Sequence, residues 1–161
     1  MTNAEQTSVL ITGGDKGLGL EAARRLGAKG WTVFLGSRDA GRGRAAADKL
    51  AADGANVVLV PLDVASDESV GAAVRLVREY TDRLDVLINN AGVSGGGVAP
   101  ADATADEVHS VYNINVYGTI KVTHASLSLL RAADHSRCDG VQRWRFLRGR
   151  DRSGAAHLEA P

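Results

Sequence analysis

The chain has 161 residues, of which 44% are hydrophobic and 24% charged, and its formal net charge is zero. That length suits one domain better than two, and the balanced charge argues for neither a nucleic acid nor a membrane surface as partner. No apolar run approaches the roughly 20 residues needed to span a bilayer, Met1 to Ser8 lacks a basic-then-apolar leader pattern, and a single cysteine, Cys138, excludes an internal disulfide and a metal-ligand cluster. A reducing cytoplasm is the expected location.

Short β-branched apolar runs alternate with amphipathic stretches. Val9 to Ile11 reads as a buried strand, and Leu18 to Lys29 as a helix that stops at Gly30. Thr32 to Leu35 is a second strand. Asp39 can cap a helix running to Asp53 and ending at Gly54, although Gly41 and Gly43 weaken its first turn. Val57 to Val60 is a third strand. Ser66 caps a third helix with Asp67 and Glu68 in its first turn and Val70, Ala73, Val74 and Val77 as its buried stripe. Val86 to Ile88 is a fourth strand, and Thr104 to Glu107 is a capping-box pattern that opens one long fourth helix. Three strand–helix–strand units in a row imply an α/β fold with a doubly wound parallel sheet, whose strands read as continuous apolar runs because helices cover both faces. From Asp134 onward the text is Arg-rich, with no clean period and no further strand expected. The division is therefore a partial α/β domain over 1–131 and an irregular tail over 132–161.

The first strand runs into Thr12-Gly13-Gly14-Asp15-Lys16-Gly17-Leu18-Gly19, with a helix after it. Glycines serve where backbone turns sharply or approaches a ligand, and a helix start offers free N–H groups to a phosphate. The bland alternative is a plain glycine-rich turn. The spacing is TGxxxGxG, and it resembles the short-chain dehydrogenase/reductase family. The resemblance continues in Asn89-Asn90-Ala91-Gly92, the family's NNAG after strand four, and in Asn115-Val116-Tyr117-Gly118-Thr119. It covers about Ser8 to Arg131. It implies the N-terminal part of a Rossmann-like sheet of about four strands in the order 3-2-1-4.

The resemblance also implies a site. Thr12, Gly13, Lys16, Gly17, Leu18 and Gly19 would surround the cofactor's phosphates. Ser37 sits where NAD-specific members carry Asp, and Arg38 where NADP-specific members carry Arg. Lys16 matches a second basic position of NADP-using relatives that resemble carbonyl reductases. NADP(H) is thus favoured over NAD(H); the alternative for Lys16 and Arg38 is a pair of solvated surface charges. Asp39 stands at the spacing of a ribose-binding acid, but reads as the helix cap because it follows the arginine. Asp63, with Val64, would contact the adenine, or be an ordinary loop residue. Asn89, Ala91 and Gly92 would approach the cofactor ribose, the Asn side chains satisfying loose backbone groups where the strand ends. Asn115 falls on a face shared by Val108, Val111, Tyr112, Val122 and Leu129; it is either a satisfied core Asn or the family's water-holding Asn, the only catalytic-tetrad member present.

The family continues with a strand ending in Val-Ser-Ser and then Tyr-x-x-x-Lys. Nothing after Arg131 matches, and Tyr117 and Lys121 mimic that spacing by coincidence inside the Asn motif. Cys138 to Trp144 can be encoded so that reading one nucleotide later gives Ala-Met-Val-Ser-Ser-Gly. A frameshift near Arg137 is the expectation, an unrelated Arg-rich tail the alternative. The family reaction is hydride transfer between NADP(H) and a small carbonyl or alcohol; the chain as written is expected to be inactive or nearly so, with a non-catalytic nucleotide-binding fragment as the second reading. A nucleic-acid contact by Arg143, Trp144, Arg145, Arg148, Arg150 and Arg152 is a third and weaker one. The long fourth helix, over 104–131, resembles the family's dimer-forming helix and is the expected surface for a homo-oligomer.

Overall fold

A computed structural model of the chain describes residues 6–94, 102–133 and 137–140, the last four by backbone alone. Five parallel strands form one sheet in the order β3-β2-β1-β4-β5. They are β1 (Ser8–Ile11), β2 (Thr32–Ser37), β3 (Val57–Pro61), β4 (Val86–Asn89) and β5 (Arg137–Gly140). The helices between them are α1 (Gly17–Gly27), α2 (Ala40–Ala52) and α3 (Asp67–Tyr80). After β4 come α4 (Ala105–Tyr112), a π-helical stretch (Asn113–Gly118) and α5 (Thr119–Ala132).

The pleat explains the two cores. Leu10, Phe34 and Leu87 point to one face and pack with Val70, Val77, Val122 and Leu129 of α3 and α5. Val9, Ile11, Val33 and Leu35 point to the other and pack with Ala23, Ala46, Ala47 and Leu50 of α1 and α2. Successive strand residues face opposite sides, so a strand covered on both faces must be apolar throughout. The order 3-2-1-4 is therefore present, and Asp39, Ser66 and Thr104 all cap as their positions imply: each side chain accepts a backbone N–H from the residue three places on. The Thr104–Glu107 capping box is complete. Gly43 does not weaken α2 without reason. A Cβ there would lie 2.8 Å from both Leu59 Cδ1 and Ser37 Cβ, so a small residue lets α2 settle onto β2 and β3.

Two features differ from the sequence expectations. The tail contributes a strand: β5 pairs with β4 in the register Val86↔Arg137 to Asn89↔Gly140, so β4 is not an open edge. A parallel partner needs only backbone N–H and C=O groups, and the β4 edge supplies a template for them whatever the side-chain pattern. The long fourth helix is interrupted by the π-helical turns at Asn113–Gly118. Gly118 explains the register of the break. It is buried, and a Cβ on it would lie 2.8 Å from Val64 Cγ2. The π stretch brings that bare backbone against the loop after β3. The apolar face is consequently split. Val122 and Leu129 are buried, whereas Val108 and Tyr112 are 47% and 52% exposed.

Candidate functional site

The cofactor candidates lie at the C-terminal ends of β1 to β4, where ligands bind in open α/β sheets. Ile11 is level with Leu35 and Ile88, so the segments after β1, β2 and β4 emerge side by side. The loop from Thr12 to Gly19 is held from below. Thr12 is 1% exposed, and its Oγ1 accepts the backbone N–H groups of Asn90 (3.0 Å) and Ala91 (2.9 Å). The Asn90 side-chain amide donates in return to the carbonyls of Thr12 (3.0 Å) and Gly13 (2.9 Å). Asn90 was not among the candidate cofactor residues; its role is to fasten the loop to the end of β4. The sequence signal was its place in NNAG, together with the need of a strand end for side-chain partners.

This fastening explains the glycines. A Cβ on Gly19 would lie 2.4 Å from Asn90 Nδ2 and 2.5 Å from Gly13 O, so α1 starts too close to the loop for any side chain. Gly17 is different: its φ is +55°, a left-handed conformation, and a Cβ there would meet nothing within 4 Å. Its space opens in front of the first turn of α1. Lys16 at the N-cap makes no side-chain cap bond, so the helix start keeps its donors for an outside acceptor. Leu18, 83% exposed, borders the same opening. A phosphate fits this cradle on three counts: no Cβ intrudes at Gly17, the helix start is uncapped, and Lys16 stands exposed beside it.

At the end of β2, Ser37 is buried and its hydroxyl donates to the Asp39 carbonyl (2.8 Å). Arg38 is exposed and, among the described residues, neither it nor Lys16 is in an ion pair. Asp39 does cap α2. The Arg42 N–H it accepts (2.8 Å) is the main reason its carboxyl is held below the usual range. Two further residues belong here that the sequence reading passed over. Arg42 Nε donates to Asp15 Oδ2 at 3.0 Å, and its Nη1 lies 3.0 Å from Asp39 Oδ2. The hydrogen bond to Asp15 is the largest cause that raises the Arg42 pKa.

Asp63 follows β3 and turns inward on its own loop, its Oδ1 accepting the Ala65 N–H at 3.0 Å. Val64 is buried against Gly118. Asn89 is buried at the end of β4, and its Nδ2 donates to Thr123 Oγ1 at 3.1 Å. Gly92 passes Asn115: a Cβ on it would lie 3.3 Å from Asn115 Oδ1. Asn115 is not a core residue. It is exposed in the π stretch, its Oδ1 accepting Val93 N–H (2.9 Å) and its Nδ2 donating to Val93 O (2.8 Å). It thus clips the segment after β4 to the helix. Lys121 donates to Ala65 O (3.0 Å) and lies 3.3 Å from Asp67 Oδ1, while Tyr117 is 54% exposed. The spacing of those two residues therefore has a structural use for the lysine, at the loop after β3. The tail candidates from Arg143 to Arg152 lie outside the described residues. Among the described residues no helix is long and apolar enough to cross a membrane.

A family model described as short chain dehydrogenase matches residues 7–138. The chain is 39% identical over 128 residues to a Streptomyces virginiae protein named as the ketoacyl reductase of a monensin polyketide synthase, a match over 80% of this chain and 49% of that one. Its structure superposes with TM-score 0.80 on an actinorhodin polyketide ketoreductase with NADPH, at 32% identity over 87% of this chain and 54% of the other. A metagenomic short-chain oxidoreductase in complex with NADP matches with TM-score 0.76 at 26% identity, over 83% of this chain and 61% of the other. The chain spans about half the length of the curated relatives it matches. The braced TGxxxGxG loop, the NNAG turn that braces it and the matched family model lead to one conclusion: the chain belongs to the short-chain dehydrogenase family, a family of oxidoreductases.

Proposed function

We propose that residues 1–131 are the NADP(H)-binding part of an oxidoreductase that moves hydride between this cofactor and a small carbonyl or alcohol. The observation that carries the reading is the cradle itself, an uncapped helix start behind a left-handed Gly17 with open space in front. The cofactor would supply the hydride, and the protein position and protons. In this assignment the phosphates rest on the loop from Thr12 to Gly19, with Gly13, Lys16, Gly17 and Leu18 around them. Ser37 and Arg38 border the adenosine ribose, Asp63 and Val64 the adenine, and Asn89, Ala91 and Gly92 the nicotinamide side. The absence of an acid at position 37, and Arg38 and Lys16 that are in no ion pair among the described residues, favour NADP(H) over NAD(H), since each charge-assisted contact to a phosphate adds roughly 1.5–3 kcal/mol. Binding of NADPH and NADH to the whole chain, followed by nicotinamide fluorescence, tests this. Tighter binding of NADPH is expected; no binding of either overturns it.

Of the groups the family uses for chemistry, the chain as given carries Asn115, while residues 132–161 contain neither Tyr nor Lys. Cofactor binding without turnover on a panel of ketones and aldehydes is the expected behaviour of these 161 residues. A missing general acid alone costs about 10²–10⁴ in rate. Oxidation of NADPH at an ordinary enzymatic rate would refute this. The frameshift reading gains support from β5: Cys138 to Gly140 lie in a strand beside β4, at the positions where the shifted frame reads Ala-Met-Val. Resequencing the codons for Arg137 to Gly140 decides it. A single-base change that restores Val-Ser-Ser and Tyr-x-x-x-Lys makes the parent gene product a candidate active reductase; an unchanged frame leaves the nucleotide-binding fragment.

A further inference from the structure

The glycine loop contains a carboxylate, which is an awkward neighbour for a phosphorylated ligand. Asp15 lies between Gly13 and Gly17, its side chain only 7% exposed. Placed beside a cofactor phosphate, an unpaired Asp15 would repel it in a setting where water screens poorly. Asp39 adds a second carboxylate directly after Arg38. Both are met by one residue. Arg42, on the first turn of α2, reaches Asp15 at 3.0 Å through Nε and Asp39 at 3.0 Å through Nη1. A guanidinium presents its donors in a fixed planar fork, so one Arg serves two carboxylates where a Lys would serve one. Arg42 also ties α2 to the loop after β1.

Resting on the cofactor reading above, we propose that Arg42 is a specificity-determining positioning residue: by pairing with Asp15 and Asp39 it keeps both carboxylates from opposing a 2′-phosphate, and so maintains the preference for NADP(H). Arg38 and Lys16, in no ion pair among the described residues, stay available to the phosphate while Arg42 pairs with Asp15 and Asp39. Without Arg42, Asp15 is a free hydrogen-bond acceptor at the ribose end of the loop. That arrangement suits the 2′- and 3′-hydroxyls of NAD(H) and opposes the phosphate of NADP(H).

The test is a charge cycle on the full chain, with affinities for NADPH and NADH read separately. Arg42→Ala should weaken NADPH binding about tenfold, that is by about 1.4 kcal/mol, and leave NADH within about twofold. Adding Asp15→Asn to Arg42→Ala should recover most of the lost NADPH affinity, because the charge that Arg42 was neutralising is gone. Equal loss for both cofactors would assign Arg42 a merely structural role and overturn the proposal. A double variant as weak as Arg42→Ala would also overturn it, by showing that the arginine contacts the phosphate itself. If Arg42→Ala does not fold, as judged by circular dichroism, the same ratios are read on Arg42→Gln, which keeps the aliphatic stem. Wild-type chain that binds neither dinucleotide refutes the cofactor reading and this proposal together; wild-type binding with an unchanged NADPH/NADH ratio in the variant refutes this proposal alone.

Discussion

Thr12→Val removes one oxygen atom and should weaken the whole molecule. Valine nearly matches threonine in shape, so no cavity forms and β-branching is kept. What disappears is the acceptor shared by the Asn90 and Ala91 N–H groups, at 3.0 and 2.9 Å. Thr12 is 1% exposed, so water cannot replace the hydroxyl from its own side. A buried donor left without a partner costs about 1–3 kcal/mol; because Asn90 and Ala91 are only half-buried, about 1–2 kcal/mol each is reasonable, or about 2–4 kcal/mol together. For a chain of this size that lowers Tm by roughly 5–15 °C. Thr12→Ser keeps the acceptor and loses only a methyl group, and should cost about 1 kcal/mol. Urea unfolding followed by circular dichroism on the three proteins separates the terms. If Thr12→Val lies within about 0.5 kcal/mol of Thr12→Ser, the hydroxyl is not a brace and the account of how the glycine loop is held is wrong.

Other substitutions address other parts of the structure. Gly118→Ala would drive a Cβ to 2.8 Å from Val64 Cγ2 and 3.1 Å from Val64 O. It should destabilise by about 1–3 kcal/mol in urea titration, and a neutral result would refute the close contact as the reason for the break at the π stretch. Glu21 is held at a pKa of about 2 by hydrogen bonds from Arg24 and Arg25. Its folded pKa lies below the unfolded value near 4.3, so its contribution is present above that value and is lost as pH falls through about 2. Wild type should therefore lose stability relative to Glu21→Gln between about pH 4.5 and 2, an effect kept small by the exposure of all three side chains; parallel pH curves would refute the pairing in solution. The exposed Tyr112, Val116 and Ile120, with Val108 and Tyr117, leave apolar surface along 108–120. We propose it as a homo-oligomer contact, so Tyr112→Glu with Ile120→Glu should shift sedimentation toward the monomer, and an unchanged distribution would refute it.

Local signals made most of the fold legible. Apolar runs mark β1 to β4, capping residues mark the starts of α2 and α3, and Gly30 and Gly54 take positive φ after α1 and α2. The buried stripe of α3 follows directly from its 3.6-residue period. What stayed hidden depends on distant partners. An α-helix and a π turn differ by one residue per turn, and nothing in Asn-Ile-Asn-Val-Tyr-Gly distinguishes them; the close approach of Gly118 to Val64 does, and that contact spans the two halves of the chain. Asn115 consequently left the apolar stripe on which it was placed. β5 was illegible because Arg-Cys-Asp-Gly has no strand pattern, and only the edge of β4 makes it one. Arg42 read as one more charge on a helix, since the sequence does not show that α2 carries it within reach of Asp15.

The candidate cofactor site is not confined to the glycine loop. The loop needs Asn90, which lies 78 residues beyond Thr12. The segment that carries Asn90 is in turn clipped by Asn115 through Val93. α5 supplies Val122, Leu129 and Leu130 to the core that also holds Leu10 of β1 and Leu87 of β4, the two strands whose C-terminal ends carry the loop and the NNAG turn. A chain stopped at Gly92 would keep every candidate phosphate-binding residue and the α3 packing, and yet uncover the part of the sheet face that α5 covers, at about 25 cal/mol for each Å² of apolar surface exposed. The cofactor site is therefore a property of the sheet together with α5. The candidate residues from Thr12 to Gly92 all precede α5, yet the core that seats the strands carrying them includes Val122, Leu129 and Leu130.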